Sequence, residues 1–227
     1  SASQEMGACI SSGGDCSFKT EKECLQTSGS FHAGELCSNP DLETSCTKQA
    51  SIGCVDGKDE IYWFDSCGNR ENIYSSDRTA SWNDGRILTK EQSCKSNLPN
   101  TNSNSCGNCN RALSSVCSSS SGNKVADGNF VCKSLGCVDA EGKERANGES
   151  WCIYDSYIGD GKDTAGSEHW LAYCNKGTVE VDICGDYRSM ICVQLITESG
   201  TKTMSRAECV ENTAFDCVSY NSESSSM

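Results

Sequence analysis

Nineteen cysteines stand among 227 residues, and their number and spacing constrain the chemistry of this chain more than any other side chains do. A thiolate is a nucleophile and a metal ligand, whereas an oxidised pair is a cross-link. Cys106-Gly107-Asn108-Cys109, followed by Cys132 and Cys137, comes closest to a metal centre. The second pair is spaced too widely for a zinc ribbon's two tight knuckles, so disulfide bonding is the expected fate of these thiols. No Cys-x-x-Cys-His occurs, which excludes covalent c-type haem. The glycine-rich acidic loop at 155–168 offers Asp160, Asp163 and Glu168 as weak calcium candidates. Their spacing misses the EF-hand and Lys162 sits among them, so a solvated loop is expected and no metal is assigned. Only His32 and His169 are present to act as imidazole bases, and His169 enters a strand, where hydrogen bonding to backbone is the expected role. No Gly-x-Ser-x-Gly elbow, phosphate-binding glycine loop or His-Glu-x-x-His helix is found. The 32 acidic residues make chance carboxylate pairs inevitable, and no spacing singles one out. The expectation is a protein that is not an enzyme and has no cofactor.

A cysteine in about every twelfth position marks a disulfide scaffold and an oxidising compartment. The expected disulfide residues are Cys9, Cys16, Cys24, Cys37, Cys46, Cys54, Cys67 and Cys94 in one half, and Cys106, Cys109, Cys117, Cys132, Cys137, Cys152, Cys174, Cys184, Cys192, Cys209 and Cys217 in the other. The even first set can close internally, while the odd second set leaves one cysteine unpaired or intermolecular. A polar stretch rich in Asn and Ser follows Lys95. It suggests a lobe at 1–97, a linker at 98–105 and a second lobe at 106–227.

Short strands are expected at Glu60–Phe64, Trp151–Tyr154, Trp170–Cys174, Thr178–Ile183 and Met190–Ile196, all rich in aromatic or β-branched residues. Asn175-Lys176-Gly177 should turn one of these into the next as a hairpin. Capping-box patterns at Thr20-Glu21-Lys22-Glu23 and Ser205-Arg206-Ala207-Glu208 predict brief helices running into Cys24 and Cys209. Leu113 and Cys117, one turn apart, suggest a third. Gly53-Cys54-Val55-Asp56 is echoed by Gly136-Cys137-Val138-Asp139, each ahead of an aromatic strand, as a duplicated small β module would be. The fold class is therefore mainly β and disulfide-rich, with two small stapled lobes and short helices.

Charge and composition narrow the partners. A net charge of −13 repels phosphate backbones and anionic lipid heads, which argues against nucleic acid, and no apolar run is long enough for a membrane span. No Asn-x-Ser/Thr sequon occurs, although O-linked sugar on the serine runs is compatible with the sequence. The aromatic residues Tyr62, Trp63, Phe64, Trp82, Trp151, Tyr154, Trp170 and Tyr173 would serve either core packing or a sugar-stacking face. The opening Ser1-Ala2-Ser3 fits a product cut after small residues, and the serine-rich tail at 219–227 is expected to order only against a neighbouring copy.

Three blocks carry a likeness to known sequences: Gly148-Glu149-Ser150-Trp151-Cys152-Ile153-Tyr154-Asp155, then Gly166-Ser167-Glu168-His169-Trp170 with Tyr173-Cys174, then Cys184-Gly185-Asp186-Tyr187-Arg188-Ser189-Met190-Ile191-Cys192. Together with Gly53–Glu60, Cys67–Asn72, Cys106–Cys109 and Ala207-Glu208-Cys209 followed by Asn212 and Asp216-Cys217, they cover most of 46–217. In this stretch the chain resembles large cysteine-rich secreted or cell-surface proteins of uncultured archaea of the DPANN group. The resemblance implies an extracellular archaeal setting and carries over no catalytic residue. The expected function is an extracellular structural protein, a self-assembling subunit of a surface filament or cell-envelope layer. Its partners would be copies of itself and other cell-surface components. The alternative is a secreted adhesin or glycan-binding module using the aromatic strands, and a hydrolase working through paired carboxylates stands third.

Overall fold

The structure is a computed structural model describing residues 4–154, 168–185, 189–199 and 202–213. It is mainly β, with fifteen short strands and two short α-helices among the described residues. Nine disulfides join eighteen cysteines. The chain divides into a first unit, Ser1–Ser134, and a second, Leu135–Met227.

The first unit opens with β1 (Met6–Ile10), β2 (Cys16–Thr20), α1 (Glu21–Gln26) and β3 (Ser30–Ala33), with β1 in the middle of an antiparallel sheet ordered β2-β1-β3. The expected capping box starts α1: the Thr20 hydroxyl accepts from the Glu23 N–H, and the Glu23 carboxylate accepts from the Thr20 N–H. Cys9–Cys24 ties the helix to the central strand, and Ala8, Cys37 and Cys46 form the small core beneath.

A second sheet holds β4 (Ser51–Cys54), β5 (Ile61–Phe64) and β6 (Arg70–Ile73), and α2 (Arg78–Trp82) follows. The ribbon of β7 (Ser115–Ser119) and β8 (Phe130–Ser134) adds to the same core, in which Ile52, Ile61, Trp63, Tyr74 and Val125 pack around Cys109 and Cys132. Gly107 makes this packing possible. It accepts from the Ile61 N–H and donates to the Tyr74 carbonyl, and a Cβ there would lie 2.6 Å from Ile61 Cβ.

The division at Ser134 corrects the expected boundary. Residues 98–105 lie inside the first unit, bracketed by Cys94–Cys106 and spanned by Cys54–Cys117. An even cysteine count did not make 1–97 self-contained, because parity says nothing about which partner is near. The helix expected around Leu113 is a single 3-10 turn, Arg111–Leu113, after which β7 takes over because it pairs with β8 over its full length.

The second unit contains β9 (Cys137–Val138), β10 (Glu144–Arg145), β11 (Ser150–Tyr154), β12 (His169–Asn175), β13 (Thr178–Ile183), β14 (Met190–Ser199) and β15 (Lys202–Glu211). β9 and β10 pair with each other; β11, β12 and β13 form one sheet in that order; β14 and β15 form a ten-residue ribbon. The predicted hairpin is present: Asn175 faces Thr178, and Lys176 and Gly177 both take positive φ, as a two-residue turn of the primed kind requires.

The predicted helix at Ser205–Glu208 is instead the middle of β15. Ser205, Ala207 and Cys209 turn inward while Met204, Arg206, Glu208 and Val210 turn outward. Ten consecutive cross-strand pairings outweigh a local capping pattern that has no apolar helical face behind it. The motif echo is partial. β4 pairs directly with the aromatic strand β5, whereas β9 pairs with the inserted β10 before the aromatic strand β11.

Candidate assembly surface

The disulfides position everything else, because each of the four core clusters is built around cystine sulfur. In two ribbons the cysteines face each other without bonding. Cys117 stands opposite Cys132 but bonds Cys54, while Cys132 bonds Cys109. Cys192 stands opposite Cys209 but bonds Cys152 of β11, while Cys209 bonds Cys184 just beyond β13. Both strands of the β14–β15 ribbon are thereby tied to the β11–β12–β13 sheet. Cys106 and Cys109 bond Cys94 and Cys132, so the Cys-x-x-Cys pair is spent on two cross-links. Cys46 and Cys67 lie close to Asp65, but they are joined to each other and offer no thiolate to a metal. Cys217, Asp160, Asp163 and the tail at 219–227 lie outside the described residues, and Glu168 is exposed.

Most polar side chains at the cores are occupied by internal partners, while Trp63 Nε1, Asn100 Oδ1 and Asn108 Oδ1 are buried without a hydrogen bond. Arg145, buried in the second unit, donates from Nε to Asp139 (2.8 Å) and from Nη1 to Glu149 (3.2 Å) and the Ser205 hydroxyl (3.1 Å). Its guanidinium lies 4.6 Å from the centre of the Trp151 ring. Burial alone would raise both carboxyls. Backbone N–H donors from Lys143 and Glu141 to Asp139, and from Ala146 and Ser205 to Glu149, act with Arg145 to hold both below their ordinary range. In the first unit, burial likewise opposes ionisation of Glu60, yet the Lys90 ammonium and the Tyr62 hydroxyl keep its carboxyl low. Glu71 goes the other way: burial pushes it up, against hydrogen bonds from the Ser38 hydroxyl and the Gln49 N–H. Arg145 lines a cavity of about 690 Å³ with Asp139, Trp151, Tyr154, Val179 and Val181. Of its three charged lining residues Arg145 and Asp139 pair with each other, and Glu141 is the third.

The two histidines are engaged as well. His169 is buried, its Nδ1 accepts from the Cys192 N–H at 3.0 Å, and Tyr154 meets its ring edge-on. His32 lies beside Ser30 and Glu35 on β3.

The candidate aromatic residues divide between core and surface. Trp63 is 2% exposed and Trp151 4%, each packed against cystine and covered by a guanidinium, that of Arg78 or Arg145, and Tyr62 is buried as well; Phe64, Trp82, Tyr154, Trp170 and Tyr173 are half-buried. The large apolar side chains that do reach solvent gather elsewhere. Beside Leu25 and Leu98 in the first unit, the exposed group comprises Val138, Val181, Ile183, Val193, Leu195, Ile196 and Met204, all in the second. Val181 and Ile183 share one face of the edge strand β13. Val193 (38% exposed), Leu195 (70%), Ile196 (64%) and Met204 (45%) crowd the β14–β15 ribbon. Edge strands and ribbons bearing exposed apolar residues are templates for association. Sequence reading located β14 but missed its partner, whose signal was the alternation from Met204 to Val210. Compared with family models, curated proteins and solved structures, the chain matches none.

Proposed function

We propose that this protein is an extracellular structural subunit that assembles with copies of itself into a surface filament or envelope layer. The observation carrying the proposal is the concentration of exposed apolar side chains on the strand ribbon and sheet edge of the second unit. Two further features support it. Nine disulfides suit a secreted protein in an oxidising setting, and no helix among the described residues is long and apolar enough to cross a membrane. The resemblance to cysteine-rich DPANN surface proteins points to the same environment. A net charge of −13 opposes self-association, so assembly should strengthen with salt or divalent cations. Light scattering and negative-stain imaging of purified protein, from low micromolar upward and across a salt series, test this. Ordered polymers that grow with salt are expected; monomers under every condition would overturn the proposal.

A further inference from the structure

We infer that the outer face of the β14–β15 ribbon is a two-fold interface with the same face of a second copy. This rests on the self-assembly reading and specifies its contact. The register places Ile191 opposite Val210, Val193 opposite Glu208, Leu195 opposite Arg206 and Thr197 opposite Met204. These eight residues share the face turned away from the inward Cys192, Ser205 and Ala207. The face is palindromic about the pair Gln194 and Ala207. When a two-fold axis runs across the strands at that pair, the copy's strands lie antiparallel to the first. Each residue then meets the one equally far on the other side of the centre.

Under that operation Met204 meets Val210 and Val193 meets Leu195, apolar against apolar, and Thr197, its hydroxyl donating to the Met204 carbonyl, meets Ile191. Arg206 meets Glu208, twice by symmetry. A chain carrying −13 therefore presents on this face one cation and one anion among the described side chains, placed so that the two-fold sets each against its opposite. Such isologous self-complementarity is what a second copy recognises. Cys152–Cys192 and Cys184–Cys209 tie both strands down by their inner side and leave the outer side to solvent. Seven residues along each of two strands make a face of about 20 Å by 10 Å, smaller than the roughly 800 Å² per partner of a standard interface. An isologous contact also closes on itself. The face is thus one contact of the polymer, and growth uses another.

Charge reversal tests the inference on the full, oxidised chain. Arg206→Glu and Glu208→Arg are both exposed changes, and circular dichroism together with non-reducing mass spectrometry shows whether fold and disulfides persist. At the lowest salt at which the wild type assembles, each single variant should raise the concentration for half-maximal assembly on the order of tenfold, since two facing ion pairs become two like-charge pairs. An equimolar mixture of R206E and E208R, whose faces carry two acids and two bases, should return to within about threefold of wild type, as should the double variant. If the single variants assemble like wild type, or the mixture is not rescued, the two-fold face is wrong while self-assembly stands. If wild type never assembles, the self-assembly reading fails and takes this interface with it.

Discussion

Replacing Arg145 by methionine should unfold the second unit at temperatures where the wild type is intact. Among the described residues Arg145 is the only cation bonded to two buried carboxylates, with side chains of Arg145, Asp139 and Glu149 exposed by 7%, 4% and 5%. Methionine keeps most of the stem that lies over Trp151 but leaves two negative charges facing each other out of water. Breaking a buried ion pair from one side costs about 3–5 kcal/mol. For a unit of this size, 1 kcal/mol corresponds to about 4–8 °C in melting temperature, so the fall should be roughly 10–40 °C. The penalty should also depend on pH. In the wild type both carboxyls titrate below their unfolded values. Their contribution is therefore complete above about pH 4.5 and is lost as pH falls through the depressed folded values. In R145M, burial without the guanidinium raises them instead, and protonation relieves the variant. The stability gap should narrow from pH 7 to pH 4, and R145M/D139N/E149Q should recover more than half of it at pH 7. Thermal and denaturant unfolding followed by circular dichroism, with exchange of the Ala146 and Ser205 amides that donate to Glu149, measures this. A loss under 1 kcal/mol at pH 7, or a gap that widens in acid, would refute the reasoning.

Other outcomes follow from the same architecture. Reduction should unfold both units under conditions where the oxidised protein is stable, because every core cluster contains cystine; an unchanged melting curve in reductant would contradict this. Alkylation without reduction should find eighteen cysteines protected, with Cys217 either modified or bridging two chains, and three or more labelled sites would rule out the pairing described. Gly107→Ala should cost about 1–3 kcal/mol in denaturant titration, since the new methyl meets Ile61 and Tyr74 closer than packing allows. Deleting residues 1–7 removes Met6 and Gly7 from the central strand β1, so loss of assembly should coincide with loss of β-structure in that sheet by circular dichroism.

The strands legible in the sequence were those in which local preference and tertiary role agree. Ile61-Tyr62-Trp63-Phe64 and Trp151-Cys152-Ile153-Tyr154 are aromatic or β-branched nearly throughout and bounded by turn residues, and both are core strands. β13 alternates in sequence and is a strand, but both of its faces reach solvent, with Val181, Asp182 and Ile183 all exposed. The failures came where long-range pairing overrules a local pattern. Ser205-Arg206-Ala207-Glu208 satisfies a capping box in isolation, but Cys209–Cys184 and the pairing with β14 hold it extended. Composition placed a linker at 98–105 because polar residues lack core signals. The fully buried Asn100, whose amide donates to the Cys106 carbonyl, and the Cys94–Cys106 bond show that segment to be internal scaffolding. Connectivity was beyond reach for a similar reason: facing cysteines in β7–β8 and β14–β15 bond elsewhere, and only the packing of neighbouring strands says where. The Arg145 network left one trace, glycines at 142 and 148 with positive φ that fold Asp139 and Glu149 back onto the guanidinium.

Locating stability in cross-links rather than in apolar volume changes what the surface can do. An ordinary small domain that places Val193, Leu195, Ile196 and Met204 in water withholds them from a core that needs them. Here the cores are small and closed by sulfur, so the apolar strand residues can stand in solvent without emptying the interior. Closing the longest loop, Cys54–Cys117 with a sequence separation of 63, contributes roughly 4 kcal/mol in the chain-entropy model and spends no surface at all. In the proposed assembly the acidic excess would act as the control on association. At low ionic strength a subunit of −13 is repelled by its own kind over tens of ångströms, and at about 0.15 M salt the repulsion is confined to about 8 Å, within reach of contact. On the proposed self-assembly, a subunit with these properties would stay dispersed where charge is unscreened and would join its neighbours in saline surroundings. The same oxidising conditions that close its disulfides would then keep the assembled material from unfolding.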